Sequence, residues 1–144
     1  MIILDTSVLL AVADRDDHHH LAAREAFAEE QGPFVVSPYV LTELDYLIAT
    51  RLGVTAELEM LQDMSAGAYE LASFDIDDVR TATGIIEQYR DEEIGLADAS
   101  IVVLAHRYRT DRVLTLDTRH FRVLRTIRGG PFTILPKDEA DRGA

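Results

Sequence analysis

At 144 residues, with 47% apolar and 28% charged side chains and no cysteine, the chain has the size and make-up of one compact domain that needs no disulfide. No apolar run approaches the ~20 residues that cross a bilayer. The N-terminus also lacks the basic start and small-residue cleavage site of a secretory signal, so a cytoplasmic protein with no thiolate chemistry is expected. A formal charge of −12 argues against a nucleic-acid partner, because phosphate binding is carried largely by Lys and Arg. The total hides an asymmetry: residues 1–106 carry 5 basic and 21 acidic side chains, whereas residues 107–128 carry seven arginines (107, 109, 112, 119, 122, 125 and 128) against Asp111 and Asp117. A solvated arginine-rich face accounts for this strip. So does an acidic body that holds a cation beside a basic strip that holds a polyanion.

In chain order, Ile2 to Leu4 predict a short buried strand, and SVLLAVA with HHHLAAREAFAEE predicts one or two helices before the QGP break. FVVS is a second strand. Ser37 reads as an N-cap with Pro38 in the first helical position, opening a helix whose apolar spacing runs through Val40, Leu41, Leu44, Leu47 and Ile48 to Gly53. A further helix is expected over roughly 55–66, YELAS is a weaker strand, and DIDDVRTATGIIEQYR is an amphipathic helix. LADASIVVLAHRY predicts a helix entered from Gly95, and RVLTL and FTIL predict two more strands. The polar KDEADRGA after Pro136 is expected to fray, leaving 1–136 as the single domain and 137–144 as a tail. Short strands without polar alternation, separated by helices, indicate a three-layer α/β/α sandwich with a central, mostly parallel twisted sheet. In such sheets ligands bind outside the carboxyl ends of the strands.

Four acids fall at that edge or on early helical turns bordering it: Asp5 after the first strand, Glu43 early in the Pro38 helix, Asp98 in the first turn of LADASIVVLA, and Asp117 after RVLTL. Each alone has an ordinary explanation, as an N-cap, a macrodipole partner or a turn residue. Crowded at one edge, the four would repel one another and raise their own pKa values unless a cation intervened. An all-oxygen set without Cys or His at ligand spacing suits Mg²⁺ or Mn²⁺ rather than Zn²⁺. Thr6, Ser7 and Thr115 are short hydroxyls placed to orient those carboxylates or a water, with turn and capping roles as the alternative.

The ordered set IILDTSVLL, VVSPYVLTELDYLIATRLG, IGLADASIVVLAHRY and VLTLDTRHF resembles the PIN-domain nucleases, in particular the VapC toxins of bacterial toxin–antitoxin pairs, over Met1 to about Pro136. The wording of SPYVLTELDYLIATRLG and AHRYRTDRVLTLD looks closest to actinobacterial VapC toxins. The resemblance implies a PIN-like fold in which Asp5, Glu43, Asp98 and Asp117 form an acidic Mg²⁺ or Mn²⁺ site, Asp5 and Asp98 as principal ligands, Glu43 as a ligand or water acceptor, and Asp117 in an assisting place. Thr115 matches the hydroxyl two residues before the last acid, and Thr6 or Ser7 the hydroxyl after the first. It implies an endoribonuclease that hydrolyses RNA phosphodiesters in line, leaving 5′-phosphate and 3′-hydroxyl ends, with the sarcin–ricin loop of ribosomal RNA or a transfer RNA as target. Arg119 and His120, directly after Asp117, would then stand at the rim to bind flanking RNA phosphates. A VapB-like antitoxin and a toxin homodimer within a larger complex are further implications. Val54, Leu58, Leu61 and Met64 read mostly as core packing, with a dimer or antitoxin groove as the alternative.

Several rivals are distinguishable. The DDHHH run could bind metal, but consecutive residues on a helix point in different directions. A metal-free ribonuclease using His106 or His120 lacks a partner histidine at evident spacing. An aspartyl-phosphate phosphatase would also place Asp5 at its first strand's end, yet it wants a second Asp where Ser7 stands. No Gly-rich turn follows the first strand to support a dinucleotide site. A binding module that kept the fold and lost turnover is separated only by an activity measurement.

Overall fold

The computed structural model describes residues 1–136; the expected tail, 137–144, lies outside the described residues. Five strands, β1 (Ile2–Leu4), β2 (Phe34–Val36), β3 (Glu70–Leu71), β4 (Arg112–Leu114) and β5 (Thr133–Leu135), form one sheet in the order β3-β2-β1-β4-β5. Every pairing is parallel, with Ile3 opposite both Val35 and Val113, and Leu4 opposite Leu114. Ile2, Ile3, Leu4, Val113, Leu114, Ile134 and Leu135 are all 1% exposed or less, so the central strands are covered on both faces. That is why their sequences are continuous apolar runs rather than alternating ones.

Seven α-helices flank the sheet among the described residues: α1 (Thr6–Ala13), α2 (His20–Glu29), α3 (Pro38–Leu52), α4 (Val54–Ser65), α5 (Ile76–Gln88), α6 (Leu96–Arg107) and α7 (Arg119–Val123). The expected α/β/α sandwich is thus the observed architecture. α1 packs on α2 and α3, α3 on α4, and α5 on α6. The DDHHH stretch is the break between α1 and α2: Asp14 Oδ1 accepts from Asp16 N, Asp17 Oδ1 accepts from His19 N at 2.7 Å, and His20 Nδ1 lies 2.8 Å from the Ala11 carbonyl. These local bonds end one helix and start the next, and the histidines serve the turn.

Three caps place the helices that matter for the site. Ser37 accepts from Tyr39 N at 3.1 Å, and its hydroxyl meets Ser100 Oγ of α6 at 2.6 Å with both serines fully buried. The N-terminal ends of α3 and α6 are therefore tied to each other. Asp75 and Asp78 form a reciprocal capping box at the start of α5. Gly53 joins α3 to α4 with φ +94, a left-handed conformation that glycine takes without strain.

Two expectations need correcting. Val54 and Leu58 are 63% and 53% exposed, so of Val54, Leu58, Leu61 and Met64 on α4 only Met64 is buried. α7 was not expected at all: five residues are too few to show a period, and what seats it is Phe121, 2% exposed, packed edge-on against Phe132 with ring centroids 5.8 Å apart.

Candidate active site

The strand order creates the site. Successive connections leave β1 in opposite directions, towards β2 and β3 on one side and β4 and β5 on the other, and a crevice opens between β1 and β4 at their carboxyl ends. Asp5 and Thr115 are the first residues past those two strands, and the Asp5 N–H donates to the Leu114 carbonyl at 3.0 Å, extending the ladder by one step. α6 runs into β4 through a short turn at residues 108–111, so the start of α6, with Asp98, lies back at the pole where β4 ends.

Asp5 makes no side-chain cap to α1. Its Oδ2 instead accepts from Thr115 Oγ1 at 2.7 Å and from Ser7 Oγ at 3.0 Å. Each hydroxyl has a single proton, so both then act as acceptors on their other side: Thr115 Oγ1 takes Asp117 N at 3.0 Å, and Ser7 Oγ takes Leu116 N at 3.0 Å. This hub fixes the chain between β4 and Asp117 against the start of α1. Burial raises the pKa of Asp5; the Thr115 and Ser7 hydroxyls oppose that rise, and the charge of Asp117 adds to it.

Asp98 faces the same space. Burial pushes its pKa up to about 6, the Asp5 charge pushing the same way, His120 opposing and Glu43 adding. Glu43 projects from the exposed side of α3 into a cleft of about 430 Å³ that Asp5, Asp98 and Asp117 also line. The four acids expected to meet therefore border one cavity. Leu10, Leu47 and Leu96 supply apolar wall. Leu47 is half-buried here rather than turned into the core, since it follows Glu43 by one helical turn and shares its face. Such a wall lowers the local dielectric and contributes to the burial that raises the pKa values of Asp5 and Asp98.

The acids do not converge on one point: among the described residues no group of three or more Asp, Glu, His or Cys is arranged as a ready metal cluster. The donors still fit a hard divalent cation. All are oxygens, their charges already penalise one another, and Mg²⁺ or Mn²⁺ keeps several waters and so does not require a closed protein shell. Asp5, Glu43 and Asp98 would hold it. Thr6 Oγ1, buried without a hydrogen-bond partner among the described residues, marks a polar spot beside them that the fold leaves unsatisfied.

α7 brings the two rim residues into place. His120 Nδ1 is 2.9 Å from Asp98 Oδ2, and Arg119 Nε is 3.4 Å from Asp117 Oδ1 with its side chain 81% exposed. Both thus touch the acids directly, a contact that sequence reasoning missed. Only the adjacency of Arg119 and His120 to Asp117 hinted at it.

A sequence model of the PIN domain matches residues 2–125. Ribonuclease VapC26 of Mycobacterium tuberculosis is 50% identical over 135 residues, which span 94% of this chain and 100% of that protein. The chain belongs to the VapC ribonucleases of the PIN-domain family. Solved structures share the fold. Mycobacterium tuberculosis VapC20, described as a sarcin–ricin loop cleaving toxin, superposes with a TM-score of 0.78 at 19% identity, over 83% of this chain and 92% of that one. DNA-bound VapBC from Salmonella typhimurium gives 0.65 at 19% identity, over 93% and 98% of the two chains. VapBC2 from Rickettsia felis, bound to a promoter fragment, gives 0.67 at 17% identity, over 94% and 100%. At these identities the likeness is one of fold, and the chemistry rests on the cleft itself.

Proposed function

We propose that this chain is a Mg²⁺- or Mn²⁺-dependent endoribonuclease, the toxin of a type II toxin–antitoxin pair, which cuts a structured cytoplasmic RNA and thereby stops translation. The observation that carries this reading is the carboxylate cleft at the β1/β4 switch point, where Asp98 is driven to a pKa of about 6 largely by burial and by the charge of Asp5. Folding alone has no use for such repulsion, and a divalent cation relieves it. A cation held by Asp5, Glu43 and Asp98 supplies charge stabilisation at the phosphate and lowers the pKa of water.

The remaining work falls to the chain's own groups. Thr115 and Ser7 lock the Asp5 carboxylate in one orientation, so no reorganisation is needed as charge develops. Glu43, on the open side of the cleft, accepts a hydrogen bond from the attacking water and aims it at phosphorus. Asp117 steadies the site from the β4 side. The exposed Arg119 exchanges its long contact with Asp117 for a phosphate flanking the cut, and His120 does the same from Asp98. No side chain becomes covalently attached and the ribose hydroxyl is not the nucleophile, so the products carry 5′-phosphate and 3′-hydroxyl ends.

The 50% identity to a named VapC ribonuclease supports RNA as substrate, and the fold shared with VapBC structures supports a VapB-like antitoxin. Among targets we favour the ribosomal sarcin–ricin loop, whose splayed bases suit recognition by loops at a cleft rim. A homodimer within the antitoxin complex completes the reading. The test is purified protein with total RNA in Mg²⁺ or Mn²⁺, followed by mapping of new 5′ ends. We expect few, discrete cuts that EDTA abolishes and that Asp5→Ala and Asp98→Asn each suppress. Cleavage that persists in EDTA overturns the metal site.

A further inference from the structure

The structure sorts the arginine strip. Arg107 is held by Asp78 and the Ser73 carbonyl, and Arg112 by Glu30 at 3.0 Å. Arg119 pairs with Asp117, and Arg125 donates to the Arg122 carbonyl at 2.9 Å at the end of α7. Arg109 and Arg128 are different: both are exposed, and neither guanidinium has a hydrogen-bond or ion-pair partner among the described residues. They come from elements 19 residues apart in sequence, yet both line a single cavity of about 410 Å³ together with His106 and Arg112. The one carboxylate there among the described residues, Asp111, is engaged by the Thr133 hydroxyl at 3.1 Å.

This cavity lies at the amino-terminal pole of the sheet, between the end of α6, the start of β4 and the turn before β5, on the opposite side from the acidic cleft. Its backbone is built at a cost. Arg109 has φ +53, in the left-handed position just past a helix where glycine is the residue of least strain. Arg128 is presented by a tight turn in which Thr126 N and Oγ1 both bond to Gly130 and Gly129 N bonds to the Thr126 carbonyl.

We infer that this cavity is a phosphate-binding exosite for the RNA backbone, which anchors substrate remote from the cut. The inference rests on the ribonuclease reading above. In a chain of charge −12 the rim residues Arg119 and His120 meet only the phosphates next to the cut, so a longer polyanion is held more firmly with further cationic contacts on its path. Two unpaired guanidinium groups converging on one concave site are suited to bidentate phosphate contacts. β4 links the two poles: from Arg112 to Asp117 the chain spans at most ~17 Å, a distance that one folded RNA hairpin covers. Because the contacts are to phosphate, the exosite adds affinity without sequence preference.

The test uses binding in EDTA, so it is independent of whether the chain cleaves. A fluorescein-labelled RNA hairpin of about 30 nucleotides is titrated against the full chain at several salt concentrations, and Arg109→Gly/Arg128→Gln is compared with Arg24→Gln/Arg51→Gln, which removes the same charge elsewhere. We expect the first pair to weaken binding on the order of 10-fold at 0.15 M salt and to reduce the log–log salt slope by about 1.4–1.8, with the second pair near wild type. The glycine relieves the left-handed backbone at 109, so melting temperature should hold or rise and the loss cannot be assigned to unfolding. Equal loss in both pairs, or an unchanged slope, overturns the exosite. Sub-millimolar binding of inorganic phosphate alone, lost in the first pair while hairpin binding persists, overturns it in favour of a free-anion site. Loss of antitoxin binding with hairpin binding intact overturns it in favour of a protein contact.

Discussion

Replacing Asp98 with asparagine should make the metal-free protein more stable while removing its activity. Burial and the Asp5 and Glu43 charges raise the Asp98 pKa from 3.8 to about 6, against the opposing pull of His120. A folded-state pKa above the unfolded value means that the protonated form favours the fold. The associated stability is fully present below about pH 4, is lost as pH rises through about 6, and is gone at neutrality. Two units at ~1.4 kcal/mol each set a ceiling of about 3 kcal/mol for the penalty carried by the ionised carboxylate at pH 7.5. Asparagine cannot ionise and keeps the shape, but it gives up the contact with His120, so a gain of about 1–2 kcal/mol is expected. For a domain of this size that is a rise of roughly 3–7 °C in melting temperature.

The assay is thermal and urea denaturation of wild type and Asp98→Asn in EDTA at pH 4, 5, 6 and 7.5. The two proteins should converge at the acid end and separate above pH 6, with the variant ahead. Millimolar Mn²⁺ at pH 7.5 should then stabilise the wild type and leave the variant nearly unmoved, because a cation that binds the folded state adds RT ln(1 + [L]/Kd). An Asp98→Asn protein no more stable than wild type at pH 7.5, or one with the same pH dependence, would refute the claim that like-charge crowding strains this cleft.

Thr115→Val removes the shortest bond to Asp5 and leaves a buried acceptor short of a donor, so a loss of about 1–3 kcal/mol in urea denaturation and at least a 10-fold fall in RNA cleavage are expected. Ser37→Ala strips the α3 cap and cuts the buried Ser37–Ser100 tie between α3 and α6, leaving Ser100 its bond to the Ala97 carbonyl, which should cost about 1–2 kcal/mol and, by loosening the helix that carries Glu43, lower cleavage more than RNA binding. Phe121→Ala should cost about 3–5 kcal/mol by denaturation and release α7 with its two rim residues. Arg119→Ala, on an 81% exposed side chain, should leave the melting temperature within a degree or two and raise KM rather than lower kcat.

Much of this architecture was legible because the signals were local. Apolar runs such as Ile2–Leu4, short and separated by helical segments, read as strands covered on both faces, and Ser37-Pro38 before an apolar helical spacing reads as a helix start. Where periodicity was absent or served another purpose, sequence reasoning failed. α7 has too few residues for a period, and its position is decided by Phe121 meeting Phe132, a contact no window of sequence contains. Leu47 fits the apolar stripe of α3 but belongs to the cleft wall, because a helix beside a concave site has two faces that favour apolar residues. The four acids that line one cavity were singled out through their places at strand and helix ends. That His120 would touch Asp98 depends on how α7 docks, and so could not be read from spacing.

The hydroxyl hub explains why Asp5 can end an apolar strand without unfolding its surroundings. A lone carboxylate delivered to a buried edge would be met by unpaired backbone N–H groups of the β4 extension and by its own desolvation. Ser7 and Thr115 serve both needs at once, donating to Asp5 and accepting from Leu116 and Asp117. Each hydroxyl is therefore a joint between β1 and β4 as well as a support for the acid. Removing Asp5 should not simply relieve repulsion as Asp98→Asn does. Asp5→Ala takes away the acceptor shared by the buried Thr115 and the part-buried Ser7 hydroxyls, leaving Thr115 the longer 3.1 Å contact with the Asp117 carbonyl, at about 1–3 kcal/mol in all, while ending the unfavourable coupling to Asp98. The two effects oppose, so the variant is expected to be less stable than Asp98→Asn at pH 7.5 although both lose the same formal charge. Side-by-side urea titrations in EDTA measure that order, and the reverse order would mean that the hub holds the strands together through its bonds from the Leu116 and Asp117 N–H groups alone.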